Sequence, residues 1–423
     1  MTYSGALGPR SGTGTGLYDS GAWWLTVPPQ RRVLVMAATT ASASRLLDVA
    51  DLFHGDLRVQ LYFTVPPSPS NLGTAELLGT VGAPLLPWEK AKTESFDLAL
   101  TANLSGLHEV AAPVVMFSHG ASRNGLAQPR GRGSMPLTGP VIGLSRAELV
   151  YAGVLVPTAL TFGHERELDL LAEGCPEALP IASVIGDPCY DRITAQAGRR
   201  AAFRRALGLT AGQKLVVVAS SWMPNSLLGS APHLLERVVR ELSGPRCRIA
   251  FLSHPNVWAG HGSYQLHSWL KPWIERGLVV VRPEVDWQPI LTAADWVIGD
   301  HGSVTLYGSA VGVPILLGAF NERFVHPDSG AAALGRIAPR VSANVPLGEQ
   351  LAHAAAEFDA QAMARVAATI SSEPGAFART TRRLLYNIMG LSQPSVPARL
   401  APAQPPAPLW TTEKYARQSR SAA

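Results

Sequence analysis

From Arg31 to Gly318 the chain repeats one pattern: a short run of apolar, largely β-branched residues, then a longer stretch with leucines or valines on one face, then another apolar run. Strands buried on both faces read as near-continuous apolar runs, and their alternation with helical stretches marks βαβ units. The pattern therefore commits the chain to parallel sheets covered by helices, an α/β fold. A first series of strands is expected over residues 32–37, 57–65, 97–102, 113–118, 157–163 and 181–186. A second follows Asp187-Pro188, over 214–220, 248–253, 278–282, 296–299 and 314–318. Helices are expected over 42–53, 192–207, 232–242, 264–276, 287–294, 303–311, 352–371 and 375–389.

The result is a two-lobed reading: a Gly/Ser/Thr-rich flexible arm over 1–30, a Rossmann-like half over 31–187 and a second over 188–373. A C-terminal helix within 374–392 and a Pro-rich basic tail over 393–423 complete it. In open parallel sheets, ligands bind beyond the carboxyl ends of the strands, so a cleft between the halves is where chemistry is expected.

Charge excludes one class of partner. The net charge is +5, but the segment from Pro374 onward carries seven basic residues against one acid, so the preceding body is close to neutral. A basic nucleic-acid-binding face is not indicated. The three cysteines, Cys175, Cys189 and Cys247, are scattered and odd in number, which fits a reducing cytoplasm. The first thirty residues lack an apolar core of the secretory type, and the uncharged apolar stretch 149–163 is too short to span a bilayer. The chain reads as cytoplasmic, with a peripheral place on the inner membrane face left open by the basic tail.

Several chemistries lack their motifs. There is no G-x-x-x-x-G-K-[ST], no G-x-G-x-x-G after the first strand, no G-x-S-x-G and no H-E-x-x-H. No cofactor and no metal site are expected.

Three segments stand at strand ends. In Gly299-Asp300-His301-Gly302-Ser303 a strand runs into a helix that opens at Ser303. The unpaired N–H groups and dipole of a helix start favour an anion there, with His301, Gly302, Ser303 and Thr305 as candidate diphosphate contacts. An ordinary βα turn with Asp300 or Ser303 as N-cap is the plain alternative. His119, with Gly120 behind it, follows a strand of the first half, and a histidine near neutral pKa can serve as general base. The stretch after it contains Arg123, Arg130 and Arg132 and no acid before Glu148, which suits an anionic substrate. His254-Pro255 ends a strand of the second half. Candidate catalytic residues are thus His119, His254 and Asp300.

With these in place the chain resembles the CDP-glycerol glycerophosphotransferase family and, more widely, the GT-B superfamily. The resemblance covers roughly residues 110–320. It rests on four features in the family's order: Ser118-His119-Gly120; the crossover Gly186-Asp187-Pro188-Cys189-Tyr190-Asp191; His254-Pro255; and Gly299-Asp300-His301-Gly302-Ser303-Val304 followed by Gly312-Val313-Pro314. The family's Thr and Lys after His-Gly are Ala121 and Asn124 here, and one Ser of its turn is Gly302.

The resemblance implies two Rossmann-like domains facing across a cleft, a nucleotide-diphosphate donor on the second and a hydroxyl acceptor on the first, membrane-associated acceptors included. It implies His119 as base and His254 as phosphate contact, in a transferase that moves a glycerophosphate or glycosyl group. The departures keep a degenerate binding protein in view. An epimerase-like enzyme, which needs a carboxylate such as Asp300 or Asp191 at the sugar, is the other alternative.

Overall fold

The structure is a computed structural model that describes residues 26–121, 123, 125–126 and 141–409. The first lobe is built on β1 (Arg31–Met36), β2 (Val59–Thr64), β3 (Leu98–Thr101) and β4 (Val114–Met116). A short antiparallel hairpin, β5 (Val150–Tyr151) and β6 (Val154–Leu155), precedes β7 (Ala159–Phe162) and β8 (Ala182–Val184). The six-stranded sheet has the order β2-β1-β3-β4-β7-β8, with every pairing parallel. The second lobe carries β9 (Lys214–Ser220), β10 (Cys247–Ser253), β11 (Leu278–Val281), β12 (Trp296–Gly299) and β13 (Ile315–Leu317). Their order is β11-β10-β9-β12-β13, again all parallel.

Strand composition explains the layering. Side chains alternate across a strand. In β1, Val33 and Val35 join one core with Leu46 and Val49, while Leu34 and Met36 join another with Leu160 and Phe162. In β9, Val216 and Val218 pack with Leu235 and Phe251, whereas Leu215 and Val217 pack with Phe203 and Ile290. Both faces of both sheets are therefore covered, as apolar runs without polar alternation require.

Helix limits differ from expectation where a cap or a glycine intervenes. The expected helix over 192–207 starts earlier, as Pro188–Ala195, because Asp187 accepts from Tyr190 N at 2.7 Å and Pro188 takes the first turn. It then breaks around Gly198 and resumes as Arg200–Ala206. The expected helix over 352–371 is two, Leu347–Ala356 and Ala360–Ala368, the second opened by Asp359, which accepts from Gln361 N and Ala362 N. The helix expected from Tyr264 begins at Pro255 and is kinked at Gly262, whose φ is 77°.

The helix Phe377–Met389 returns to the first lobe, where Phe377, Leu385, Tyr386 and Met389 enter the core around Val33 and Leu46. Its start is held by Asp191, which accepts from Gly375 N at 2.7 Å and Phe377 N at 3.1 Å. Arg382 is buried and donates to the carbonyl of Val396, whereas Arg379 and Arg383 are exposed. The Pro-rich segment that follows is extended but pinned. Arg192 and Arg199 donate to the carbonyls of Ala401 and Ala403, and Leu409 N donates to Leu207 O.

The lobes meet at a buried polar cluster. Arg45, on the helix Thr40–Ala50 after β1, donates to Asp187 at 3.1 Å and to the Tyr307 hydroxyl at 3.3 Å. Tyr307, on the helix Ser303–Val311 after β12, donates to Asp187 at 2.9 Å. Burial, then the Asp187 carboxylate, push the Tyr307 phenol far up, so it remains a donor. All three are buried, and a buried charge is tolerated only when paired and hydrogen-bonded. Gly186, just before this cluster, has φ 82°, and a Cβ there would come within 2.8 Å of the Glu373 carbonyl, so only glycine fits.

Removing Arg45 leaves Asp187 buried without its cation. Arg45→Leu should lower unfolding free energy by about 3–5 kcal/mol in chemical denaturation, and Tyr307→Phe by about 1–2 kcal/mol. Losses below about 0.5 kcal/mol in both would show that this cluster does not hold the lobes.

Candidate active site

The carboxyl ends of β4, β9, β10 and β12 converge between the lobes. His119-Gly120-Ala121, leaving β4, lies directly on the start of the helix Ser303–Val311. The Ala121 amide donates to Ser303 Oγ at 3.2 Å, and a Cβ on Gly120 would collide with that hydroxyl. The glycine therefore permits a close approach of the two lobes here.

His119 stands exposed at the mouth of the cleft, but protein crowds its ring. Its Nδ1 lies 3.1 Å from the Ala102 carbonyl. A carbonyl only accepts, so Nδ1 carries the proton and Nε2 keeps a lone pair. Protein packed around the ring lowers its pKa despite the exposed edge, the Ala102 bond opposes this, and Arg45 and Arg123 lower it further. Such a ring is neutral at pH 7 and has a free basic nitrogen.

His254 has the opposite tautomer. It is the N-cap of the helix Pro255–Ile274, and the Asn256 amide donates to its Nδ1 at 3.1 Å. Nδ1 must then be the acceptor, and the proton sits on Nε2. Burial first, and His119 second, push its pKa down to about 3. His254 N donates to Ser220 O at 2.9 Å, the next residue Ser221 shares Asp300 with Gly302, and Ser303 meets the loop that carries His119, so the two histidines flank the same turn. His254 is a neutral N–H donor across the physiological range.

Asp300 does not face the cleft as a free carboxylate. It is fully buried, and four donors fill it. Oδ2 accepts from Ser221 N at 2.8 Å, Ser221 Oγ at 2.9 Å and Leu227 N at 2.8 Å, and Oδ1 accepts from Gly302 N at 2.9 Å. It ties the loop after β9 to the turn after β12. Gly302 is the N-cap of the helix Ser303–Val311 with extended backbone, and its own side offers no capping side chain. Thr305 is buried beneath the turn against Gly299, its hydroxyl without a protein partner, so it does not reach the cleft. His301 is half-buried, with Nδ1 lacking a protein partner.

Arg123 is not on the cleft surface. Its guanidinium lies 4.8 Å from the Phe162 ring centroid and donates to Thr161 O at 3.3 Å, and its amide donates to Glu167 at 2.8 Å. With Arg166, Asp328 and Arg336 it lines a separate cavity of about 370 Å³, to which neither histidine contributes. Arg130 and Arg132 lie outside the described residues, as does most of the N-terminal arm. Asp191, spent on the start of the helix Phe377–Met389, is not available to a sugar. Arg45, Tyr307 and Trp222 carry no motif in the sequence and take their places only through the fold. Trp222 follows Ser221, its ring centroid 6.1 Å from that of His254.

Among the described residues no group of three His, Cys, Asp or Glu side chains is placed to hold a metal ion, and no helix is long and apolar enough to cross a membrane.

Comparison with known proteins defines the class of the fold. No protein-family model and no curated protein sequence matches the chain. The solved structures it resembles include the wall teichoic acid polymerase TagF. A histidine variant of TagF soaked with CDPG has TM-score 0.57 at 13% identity, covering 86% of this chain and 89% of that one. A second TagF variant has TM-score 0.56 at 11% identity, covering 88% and 92%. Anabaena HepE in complex with UDP-glucose has TM-score 0.49 at 13% identity, covering 85% and 100%. The chain thus has a GT-B-like fold: two Rossmann-like lobes with parallel sheets facing across a cleft.

The low pKa of His254 carries a sign. The unfolded ring protonates near its ordinary value of about 6.5, the folded ring near 3. The unfolded state therefore binds more protons in that window, and the stability His254 contributes is present above pH 6.5 and lost as pH falls toward 3. His254→Gln should show a shallower loss of stability than wild type between pH 6.5 and 4. Equal slopes would mean that His254 protonates normally in the fold.

Proposed function

We propose that the chain is a transferase that moves a glycerophosphate or glycosyl group from a nucleotide-diphosphate donor to a hydroxyl acceptor. The observation that carries this is the pair of histidines, one from each lobe, held on one cleft in opposite tautomers. Their free nitrogens offer a base and a donor, the two functions that transfer to a hydroxyl requires. The GT-B-like fold, shared with TagF soaked with CDPG, supports the reading.

In this mechanism the donor diphosphate lies against the backbone N–H group of Ser303, where the helix Ser303–Val311 begins, while the Gly302 N–H stays on Asp300. His254 Nε2–H donates to a phosphate oxygen without needing protonation. The acceptor O–H faces His119 Nε2, which takes the proton as the oxygen attacks. In glycerophosphate transfer the new bond forms to the distal phosphorus, the bridging P–O bond breaks, and nucleoside monophosphate leaves. In glycosyl transfer the bond forms to the anomeric carbon, its C–O bond breaks, and nucleoside diphosphate leaves. Positioning and charge stabilisation supply the rate, and Asp300 contributes by fixing the turn.

The test is thermal shift against CDP, UDP, GDP and ADP and their glycerol or sugar conjugates. One base should stabilise the fold, by about 2.7 kcal/mol at a hundredfold excess over Kd. His254→Ala should lose that shift. His119→Ala should keep it while slowing nucleotide release from the conjugated donor, with water as acceptor, at least about 100-fold. If no nucleotide stabilises the protein, the transferase reading is wrong.

A further inference from the structure

Resting on that donor reading, we infer that Trp222 is the aromatic platform of the site and stacks on the nucleobase of the donor. The loop that carries it is anchored at both ends by one carboxylate oxygen. Asp300 Oδ2 accepts from Ser221 N and Oγ on one side and from Leu227 N on the other. The same carboxylate accepts from Gly302 N, so the loop and the anion-facing turn are fixed to each other. Within the loop Met223 has φ 84°, a left-handed conformation that costs a non-glycine residue free energy. Its carbonyl accepts from Ser226 N at 3.1 Å, which holds the turn. Four hydrogen bonds to a buried anion and a tolerated strain thus specify the position of Trp222.

What they specify is an indole left in water. Trp222 is 41% exposed and Met223 42%, side by side on the loop that Asp300 ties to the turn after β12. The indole plane lies within 28° of the His254 ring, at 6.1 Å between centroids. That separation is too small for a third ring to enter between them, so the remaining indole face is the one open to a ligand. An aromatic face suits a planar, weakly polar group rather than a phosphate, because the face of the ring carries negative charge. Of the parts of a nucleotide-diphosphate donor, the base is the one that matches, and base–aromatic stacking tolerates any base. Trp222 would then set affinity for the nucleoside, and His254 and the turn the affinity for the diphosphate.

The test separates these two parts by calorimetric titration of nucleoside diphosphates and of inorganic pyrophosphate into wild type, Trp222→Ala and Trp222→Phe, each checked for an unchanged thermal midpoint. Trp222→Ala should weaken the nucleoside diphosphate about tenfold and leave pyrophosphate unchanged, with Trp222→Phe retaining most of the affinity. Equal weakening of both ligands would mean that Trp222 only supports His254 and would overturn the platform. So would no weakening of either. A wild-type protein that binds neither ligand would overturn the donor reading and the platform with it. Pyrophosphate binding as tight as that of every nucleoside diphosphate would overturn the platform alone.

Discussion

The buried cluster of Arg45, Asp187 and Tyr307 is the interaction on which the rest depends. It joins a helix of the first lobe, the crossover between lobes and a helix of the second. A guanidinium and a carboxylate out of water must satisfy each other, and their directional geometry leaves the lobes little freedom to slide. Tyr307 sits one turn beyond Ser303 on the same helix. Fixing Tyr307 therefore fixes the start of that helix beneath the His119-Gly120-Ala121 loop, and the contact of Ala121 N with Ser303 Oγ follows. The C-terminal helix and the Pro-rich strap reinforce this arrangement from behind, through Asp191, Arg192 and Arg199.

With the lobes set, the chemistry divides by hydrogen-bond partner rather than by residue type. Both candidate reacting groups are histidines. One is held through a carbonyl and keeps a basic Nε2; the other is held through an amide and keeps an Nε2–H. Neither needs a charge at pH 7: burial and, for His254, the neighbouring His119 hold protonation down. Asp300 works one layer below them, as an acceptor for four donors, and organises the loop and turn between which a diphosphate would lie. Preorganisation of this kind lets neutral dipoles stabilise developing charge without rearrangement.

The sheets were legible because parallel strands leave a local trace. Apolar runs over 214–220 and 296–299 need no tertiary knowledge to be read, and both were found at their observed limits. The start of the helix at Ser303 was legible from Gly302 for the same reason. Roles that depend on distant partners were not. Asp300 looks like a free acid at a strand end, and only the fold brings Ser221 and Leu227 to it. Asp191 looks like a family motif residue, and the fold spends it on a helix that begins at Phe377. Arg123, expected to face an anionic substrate, is held by Glu167 through its amide and lies over the Phe162 ring with its guanidinium. Arg45 and Tyr307 carry no local signal, since nothing near them in the sequence announces a partner more than a hundred residues away.

The central claim is that the fold holds His119 and His254 in opposite tautomers on one cleft. Long-range ¹H–¹⁵N correlation spectra of histidine-labelled protein at pH 7, assigned with His119→Ala and His254→Gln, read this directly. The account predicts an Nδ1–H ring for His119 and an Nε2–H ring for His254, the latter still neutral at pH 5. The same tautomer in both rings, or a His254 that protonates near pH 6, would contradict it.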